Sequence, residues 1–188
     1  GNYSWDEVMK PEGWVLLSFL LDPRTGLGRF RDFHKSDDDL VIQLIDRCLD
    51  LSVDEILNLP EIAERARLYF EHEEQFVEQI NKCAVIHENL VVLDLREEDP
   101  IWPGNRFMVY ALYPEQNISL HVMWGKDRQN TVFAAGRSIA NLTSKTHVGE
   151  LMLRYGGGGH EAAGTCQVDN ERAGEVLGQL IAEITADG

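Results

Sequence analysis

Four consecutive glycines constrain this chain more than any other feature of its sequence. The run Gly156–Gly159 follows Tyr155 and precedes His160. Glycine loses more backbone entropy on folding than any other residue, so an ordered run needs compensating interactions. It also exposes backbone N–H groups that can converge on an anion, and a histidine directly after them can donate a hydrogen bond to the same anion. We therefore predict an anion-binding loop; the alternative is a flexible linker with an incidental histidine.

The charge distribution supports an anion site in this region. The whole chain has 17 Lys+Arg and 32 Asp+Glu, a net charge of −15, which argues against a broad surface that wraps nucleic acid. Between Gly125 and Thr165, however, five basic residues outnumber three acidic ones. Arg137 and Ser138 lie in this basic segment at the end of a predicted strand, where a guanidinium and a hydroxyl can bind phosphate or a base edge. A surface ion pair is the alternative for Arg137.

The remaining pattern predicts an α+β or α/β fold in which a helical part and a linker helix precede a mixed-sheet domain. Apolar spacing predicts helices over 37–51 and 60–81, and Asp37–Asp39 fit the first turn of the former. The apolar run 14–21 fits either a helix or a strand. About five strands with flanking helices follow: strands over 83–87, 90–95, 107–113, 118–124 and 131–138, a short one near 165–168, and helices over 146–155 and 171–184.

Several classes of protein are disfavoured by what the sequence contains. The longest uncharged apolar run, over 13–21, is too short to span a bilayer, and the first residues do not resemble a signal peptide. Cys48, Cys83 and Cys166 are widely spaced, so neither a zinc ribbon nor a disulfide framework is indicated. We expect a cytoplasmic protein with no membrane partner.

Three stretches of the C-terminal half together resemble a known family. They are Arg137-Ser-Ile139, Val148-Gly-Glu-Leu151 and the segment from Tyr155 to Gly164, Tyr-Gly-Gly-Gly-Gly-His-Glu-Ala-Ala-Gly. In this order they resemble the DHH-associated C-terminal domain of the DHH phosphoesterases. The nearest group is the short-oligoribonucleotide exonucleases and bisphosphonucleotide phosphatases, often described as exopolyphosphatase-related. The resemblance covers about residues 84–186 and implies a hydrolase acting on phosphate esters.

The resemblance also implies a binding site and its partners. A phosphate-bearing nucleotide or short oligonucleotide would be bound by Gly156, Gly157, Gly158, Gly159 and His160, and recognised by Arg137 and Ser138. Divalent metal ions, expected to be Mn²⁺, would be held mainly by an upstream catalytic domain and would activate a water molecule. Whether the substrate is an oligoribonucleotide, a bisphosphonucleotide, the product of a cyclic dinucleotide or polyphosphate stays open.

One family metal ligand is expected near the N-terminus. An apolar run ends at Asp22, and Thr25-Gly and Gly28-Arg-Phe30 follow, which is similar to the fourth motif of the family with an insertion. The resemblance implies that Asp22 binds metal; the alternative is an aspartate that satisfies backbone groups in a Pro/Gly turn. The Asp-His-His triplet of the family is absent from this sequence. We therefore expect the C-terminal part of a longer phosphoesterase, nearly inactive alone.

These observations suggest a division of the chain near residue 82. Residues 1–35 are interpreted as the remnant of the upstream metal-binding domain, 36–82 as a helical linker, and 83–188 as the DHH-associated substrate-binding domain. Two other interpretations stay open. One is a non-catalytic nucleic-acid-binding module similar to the tRNA-contacting domain of alanyl-tRNA synthetases. The other is a regulatory or dimerisation domain that forms a homodimer through the helix over 60–81.

Overall fold

The computed structural model describes residues 3–188 and divides them into two compact units. The helical unit comprises residues 3–79 and 101–108, and the sheet unit comprises residues 80–100 and 109–188. A helical part followed by a mixed sheet with flanking helices is therefore confirmed. Within the described residues, no helix is long and apolar enough to cross a membrane.

Short helices surround one apolar core in the helical unit. They are α1 (Trp5–Met9), α2 (Gly13–Leu20), α3 (Asp37–Arg47), α4 (Val53–Leu57), α5 (Pro60–Glu71) and the first part of α6 (Glu73–Cys83). The apolar run that fitted either a helix or a strand forms α2, which buries Leu16, Leu17 and Leu20. Leu40 and Ile62 pack in the same cluster, so residues on both sides of position 35 share this core.

The single helix predicted over 60–81 is wrong, because the structure has two helices there. α5 ends at Glu71 and α6 begins at Glu73, and His72 between them has φ −112° and ψ 10°. The His72 imidazole lies against two rings of the same unit, with centroid distances of 5.2 Å to Phe30 and 4.9 Å to Trp102. These rings come from distant parts of the sequence, so apolar periodicity along one helix could not indicate the break.

The sheet unit contains the strands in the spatial order β1-β2-β3-β4-β6-β5. They are β1 (Ala84–His87), β2 (Leu90–Asp94), β3 (Ile118–Trp124), β4 (Thr131–Arg137), β5 (Gly158–His160) and β6 (Ala163–Val168). β2 and β3 are parallel, whereas the other neighbours are antiparallel. Helices α8 (Val148–Arg154) and α9 (Ala173–Asp187) cover one face, where Ile118, Phe133 and Leu180 are fully buried.

The strand predicted over 107–113 is also wrong, since these residues form helix α7 (Met108–Leu112). Parallel neighbours such as β2 and β3 cannot be joined by a tight turn and need a crossover, which is usually helical. α7 lies in this crossover. The Tyr110 hydroxyl contacts the Ser119 Oγ atom on β3 at 2.8 Å, on the face opposite α8 and α9.

Candidate functional site

The glycine run begins as the end of helix α8. Gly156 has φ +80°, a left-handed conformation that favours glycine. Its N–H donates to the Leu153 carbonyl at 3.1 Å, and the Gly157 N–H donates to the Met152 carbonyl at 3.0 Å. This is a Schellman motif, which satisfies carbonyls that the helix end would otherwise leave unpaired. The N–H groups of Gly156 and Gly157 are therefore engaged by the helix.

The rest of the run forms the edge strand β5 against β6. Gly158 is opposite Thr165, Gly159 is opposite Gly164, and His160 is opposite Ala163. A Cβ atom on Gly157 would lie 2.0 Å from the Thr165 carbonyl oxygen, and one on Gly159 would lie 2.3 Å from the Ala163 carbonyl oxygen. These approaches require glycine. Gly158 differs, since a Cβ there would meet no atom within 4 Å.

The run is therefore regular secondary structure, and its ordering is compensated by backbone pairing. These backbone contacts also reduce the number of residues that are available to the predicted anion site. Gly156 and Gly157 serve the helix end, so the part of the run still placed to meet a ligand is Gly158–His160. The binding role of these residues stays a prediction.

His160 presents an exposed imidazole at the start of the β5–β6 turn. Its Nδ1 atom accepts a hydrogen bond from the Ala162 N–H at 3.2 Å. A ring that accepts at Nδ1 carries its proton on Nε2, where it can donate a hydrogen bond. The turn thus orients His160 so that Nε2 is the atom offered to a ligand.

Arg137, at the end of β4, forms hydrogen bonds with residues of the β5–β6 turn and with Thr146. Its Nε donates to the Thr146 carbonyl at 2.7 Å, and its Nη1 donates to Glu161 Oε1 at 2.9 Å. Its backbone N–H donates to the Ala162 carbonyl at 2.8 Å. The Arg137 side chain is only 19% exposed. The Arg137 side chain therefore makes structural contacts in this structure. Its role in substrate binding stays a prediction.

Strand register determines which faces of the sheet the Arg137 and His160 side chains occupy. Gly136 and His160 are both opposite Ala163, so the three residues project from one face of the sheet. Arg137 follows Gly136 and projects from the other face. The structure therefore brings Arg137 and His160 to one turn but on opposite faces of the sheet.

We expect Arg137→Ala to lower the free energy of unfolding by about 1–2 kcal/mol, because it removes charged hydrogen bonds from a largely buried group. Urea unfolding followed by circular dichroism would measure the change. Glu161→Gln is the matched control: Glu161 is 68% exposed, and we expect its substitution to cost about 0.5 kcal/mol or less. Unchanged stability of Arg137→Ala would contradict the structural role.

Ser138 is buried beside this turn. Its backbone N–H donates to the Asn117 carbonyl at 2.8 Å. Its Oγ atom accepts hydrogen bonds from the N–H groups of Ala140 at 3.3 Å and Asn141 at 3.1 Å. The side chain therefore orders the loop after β4, and its predicted contact with substrate stays a prediction.

Asp22 lies in the helical unit at the start of a 3-10 turn, Pro23–Thr25. It accepts hydrogen bonds from the backbone N–H of Arg24 at 2.9 Å and from the Arg24 guanidinium at 2.7 and 2.8 Å. Arg106 Nε lies 3.4 Å from its Oδ2. Burial opposes ionisation of the carboxyl, but the Arg24 hydrogen bonds and the charges of Arg24 and Arg106 outweigh it and lower the pKa of Asp22.

These contacts bear on the predicted metal site. Among the side chains that the structure describes, no group of three His, Cys, Asp or Glu residues could hold a metal ion. Asp22 and its arginines therefore do not form a metal centre by themselves. Metal binding by Asp22 stays a prediction that needs ligands from outside these residues.

Two residues of the site were missed by sequence reasoning. From the sequence, Glu161 is only one of the acidic residues between Gly125 and Thr165, but in the structure it forms an ion pair with Arg137. Gly149 lies inside α8, where a Cβ atom would approach the Gly159 carbonyl group within 2.8 Å. A glycine inside a helical pattern is a signal of close packing, so Gly149 could have been found from the sequence. The partner of Arg137 could not, because the ion pair depends on the strand register.

Comparison with known proteins shows which solved structures this chain resembles. No family model matches the chain, and no curated protein matches it. A solved pGpG-specific phosphodiesterase, PggH from Vibrio cholerae, is 54% identical, with a TM-score of 0.87 over 99% of this chain. This chain spans 62% of the length of that protein.

A second solved structure shares the fold at low identity. It is an exopolyphosphatase-related protein from Bacteroides fragilis, 14% identical, with a TM-score of 0.50 over 78% of this chain and 44% of its own. Together with the glycine-histidine motif, the 54% identity to the pGpG-specific phosphodiesterase supports the assignment of the sheet unit as a DHH-associated domain of the DHH phosphoesterase type.

Proposed function

We propose that this chain is the substrate-recognition part of a metal-dependent phosphodiesterase that acts on short nucleotides, with pGpG as the preferred substrate. The observation that carries the proposal is the 54% identity to a pGpG-specific phosphodiesterase along 99% of the chain. Because the chain spans 62% of that protein, the remaining catalytic groups would come from a part outside these residues.

The geometry of the β5–β6 turn supports this role. His160 offers Nε2 toward solvent, and the adjacent Gly158 leaves open space next to it. A phosphate oxygen accepts hydrogen bonds strongly, and the Nε2–H group of His160 can donate one, so the turn is suited to a terminal phosphate. Arg137 would hold the turn in place from the other face of the sheet.

The hydrolytic step would depend on metal ions, expected to be Mn²⁺, which activate water and stabilise developing charge when bound. The described residues do not form such a site by themselves, so their part in the reaction is limited to binding and orienting the nucleotide. We therefore propose that this chain alone binds substrate but hydrolyses it very slowly.

Calorimetric titration of the chain in the presence of a metal chelator tests the proposal. The ligands are pGpG, guanosine monophosphate and inorganic tripolyphosphate. We expect pGpG to bind at least about tenfold more tightly than tripolyphosphate, since a base and a second nucleoside add contacts to the phosphate. Equal affinity for all three would contradict nucleotide recognition, and no binding of any ligand would contradict a recognition part that works alone.

A further inference from the structure

The sheet face that carries His160 is partly exposed over β4 and β6. Its side chains lie in rows across the strands, because residues that are opposite each other in register project from the same face. One row contains His160, Ala163 and Gly136, and it continues to Ser119 on β3. Ser119 is buried, and its Oγ atom contacts the Tyr110 hydroxyl at 2.8 Å. The row therefore begins at an exposed histidine and ends under the Tyr110 side chain.

The next row places a second histidine on this face. Gly158 lies opposite Thr165, which in turn lies opposite Ala134. Ala134 lies opposite His121 on β3. The row is exposed at Thr165 and partly exposed at Ala134 and His121. Three spacings of about 4.8 Å separate β5 from β3, so roughly 14 Å of sheet lies between His160 and His121.

Small residues form the floor between the two histidines. On this floor, Gly136 has no side chain, and Ala134 and Ala163 rise only one methyl group above the sheet. Met123 and Val132 are opposite each other in the next row and extend the floor with partly exposed apolar side chains. A planar ring can therefore lie flat against the strands here, between a histidine at either end.

His121 suits a neutral, planar partner. It forms no hydrogen bond or ion pair with the residues that the structure describes, so its ring nitrogens are available to a ligand. Burial of much of the ring lowers the pKa of His121 to about 4, which keeps the imidazole neutral at pH 7. A neutral imidazole has one N–H donor and one acceptor nitrogen, and the edges of a purine base present both acceptors and donors.

We propose that this floor binds the purine base of a nucleotide whose phosphate lies at His160, with His121 as a residue that determines specificity for the base. The inference rests on the proposed function and names the part of the nucleotide that this sheet face contacts. Arg137 projects from the opposite face, so base contacts on the His160 face come from other residues. A base that lies on Ala134 would have the His121 ring at its edge.

Calorimetric titration with guanosine monophosphate and with ribose 5-phosphate, which lacks the base, tests this inference. We expect His121→Ala to weaken binding of guanosine monophosphate about tenfold and to leave affinity for ribose 5-phosphate unchanged, because only the base meets His121. Ala134→Leu keeps His121 but fills the floor, so it should show the same pattern. His160→Ala should weaken binding of both ligands, because both carry the phosphate.

His87→Ala is the matched control. His87 is a partly exposed histidine of the same sheet, but it is opposite Leu90 and projects from the face that α8 and α9 cover. Its substitution should leave both affinities unchanged.

Unchanged affinity for guanosine monophosphate in both His121→Ala and Ala134→Leu would overturn the base site, and a loss in His160→Ala would then leave the proposed function intact. An equal loss for both ligands in His121→Ala would also overturn it, because such a loss does not depend on the base. No binding of either ligand by the unmodified chain would contradict the proposed function and the base site together.

Discussion

Replacing Gly157 by alanine should unfold the sheet unit at much lower denaturant concentration than is needed for the unmodified chain. The added Cβ would lie 2.0 Å from the Thr165 carbonyl oxygen and 2.6 Å from the Cys166 Cα, both of which are backbone atoms of β6. A strand inside a sheet cannot move aside as a flexible side chain can. We expect a loss of about 3 kcal/mol or more in the free energy of unfolding.

The neighbouring glycines provide matched controls for this prediction. A methyl group on Gly158 meets nothing within 4 Å, so Gly158→Ala should change stability by less than about 0.5 kcal/mol. Gly156→Ala has free space but requires φ +80°, which costs about 1 kcal/mol for alanine. Urea unfolding of the three variants would rank them. Equal stability of Gly157→Ala and Gly158→Ala would contradict the close packing of the run against β6.

Substitution of His160 by alanine should weaken nucleotide binding about 10- to 100-fold, the value of one charged hydrogen bond to phosphate. The same change should hardly affect stability, because the His160 imidazole is exposed and accepts a single hydrogen bond, from the Ala162 N–H, among the described residues. Calorimetric titration with pGpG and thermal unfolding would measure the two effects. A lowered unfolding midpoint with unchanged affinity would show that His160 is structural.

A second exposed histidine serves as the control for this experiment. His34 lies exposed in the helical unit and forms no hydrogen bond or ion pair with the residues that the structure describes. His34→Ala should leave affinity for pGpG unchanged. Gly158→Ala complements both variants, since its methyl group would enter the open space beside His160 and reduce affinity without reducing stability.

Local patterns predicted most elements because the residues that specify them are close in sequence. The sequence Ser52-Val-Asp-Glu55 is a capping-box pattern and starts α4, with the Glu55 N–H donating to Ser52 Oγ and the Glu55 carboxylate accepting from the Ser52 N–H. The two residues between the strands predicted over 83–87 and 90–95, Glu88 and Asn89, form the tight turn that joins β1 and β2, and Glu88 has the positive φ of such a turn. In both cases a few adjacent residues decide the conformation.

The two errors of element type have another origin. The continuous apolar run over 107–113 predicts a strand. The parallel pairing of β2 and β3 needs a crossover connection, which is usually helical, and these residues form helix α7 in that connection. The single helix predicted over 60–81 is interrupted at His72. The His72 imidazole lies against the rings of Trp102 and Phe30, which are about 30 and 40 positions away in the chain. Each outcome depends on partners that a local window of sequence does not contain.

The sequence by itself determined the order of helices and strands over most of the chain and the family motif that contains His160, because these depend on neighbouring residues. Only the tertiary structure decided the conformation of the motif and the contacts that its residues make. Backbone hydrogen bonds to α8 assign Gly156 and Gly157 to the helix end, and strand register puts Arg137 and His160 on opposite faces of one sheet. Register and close backbone approach arise between segments that are separate in the chain, so they exist only once it has folded.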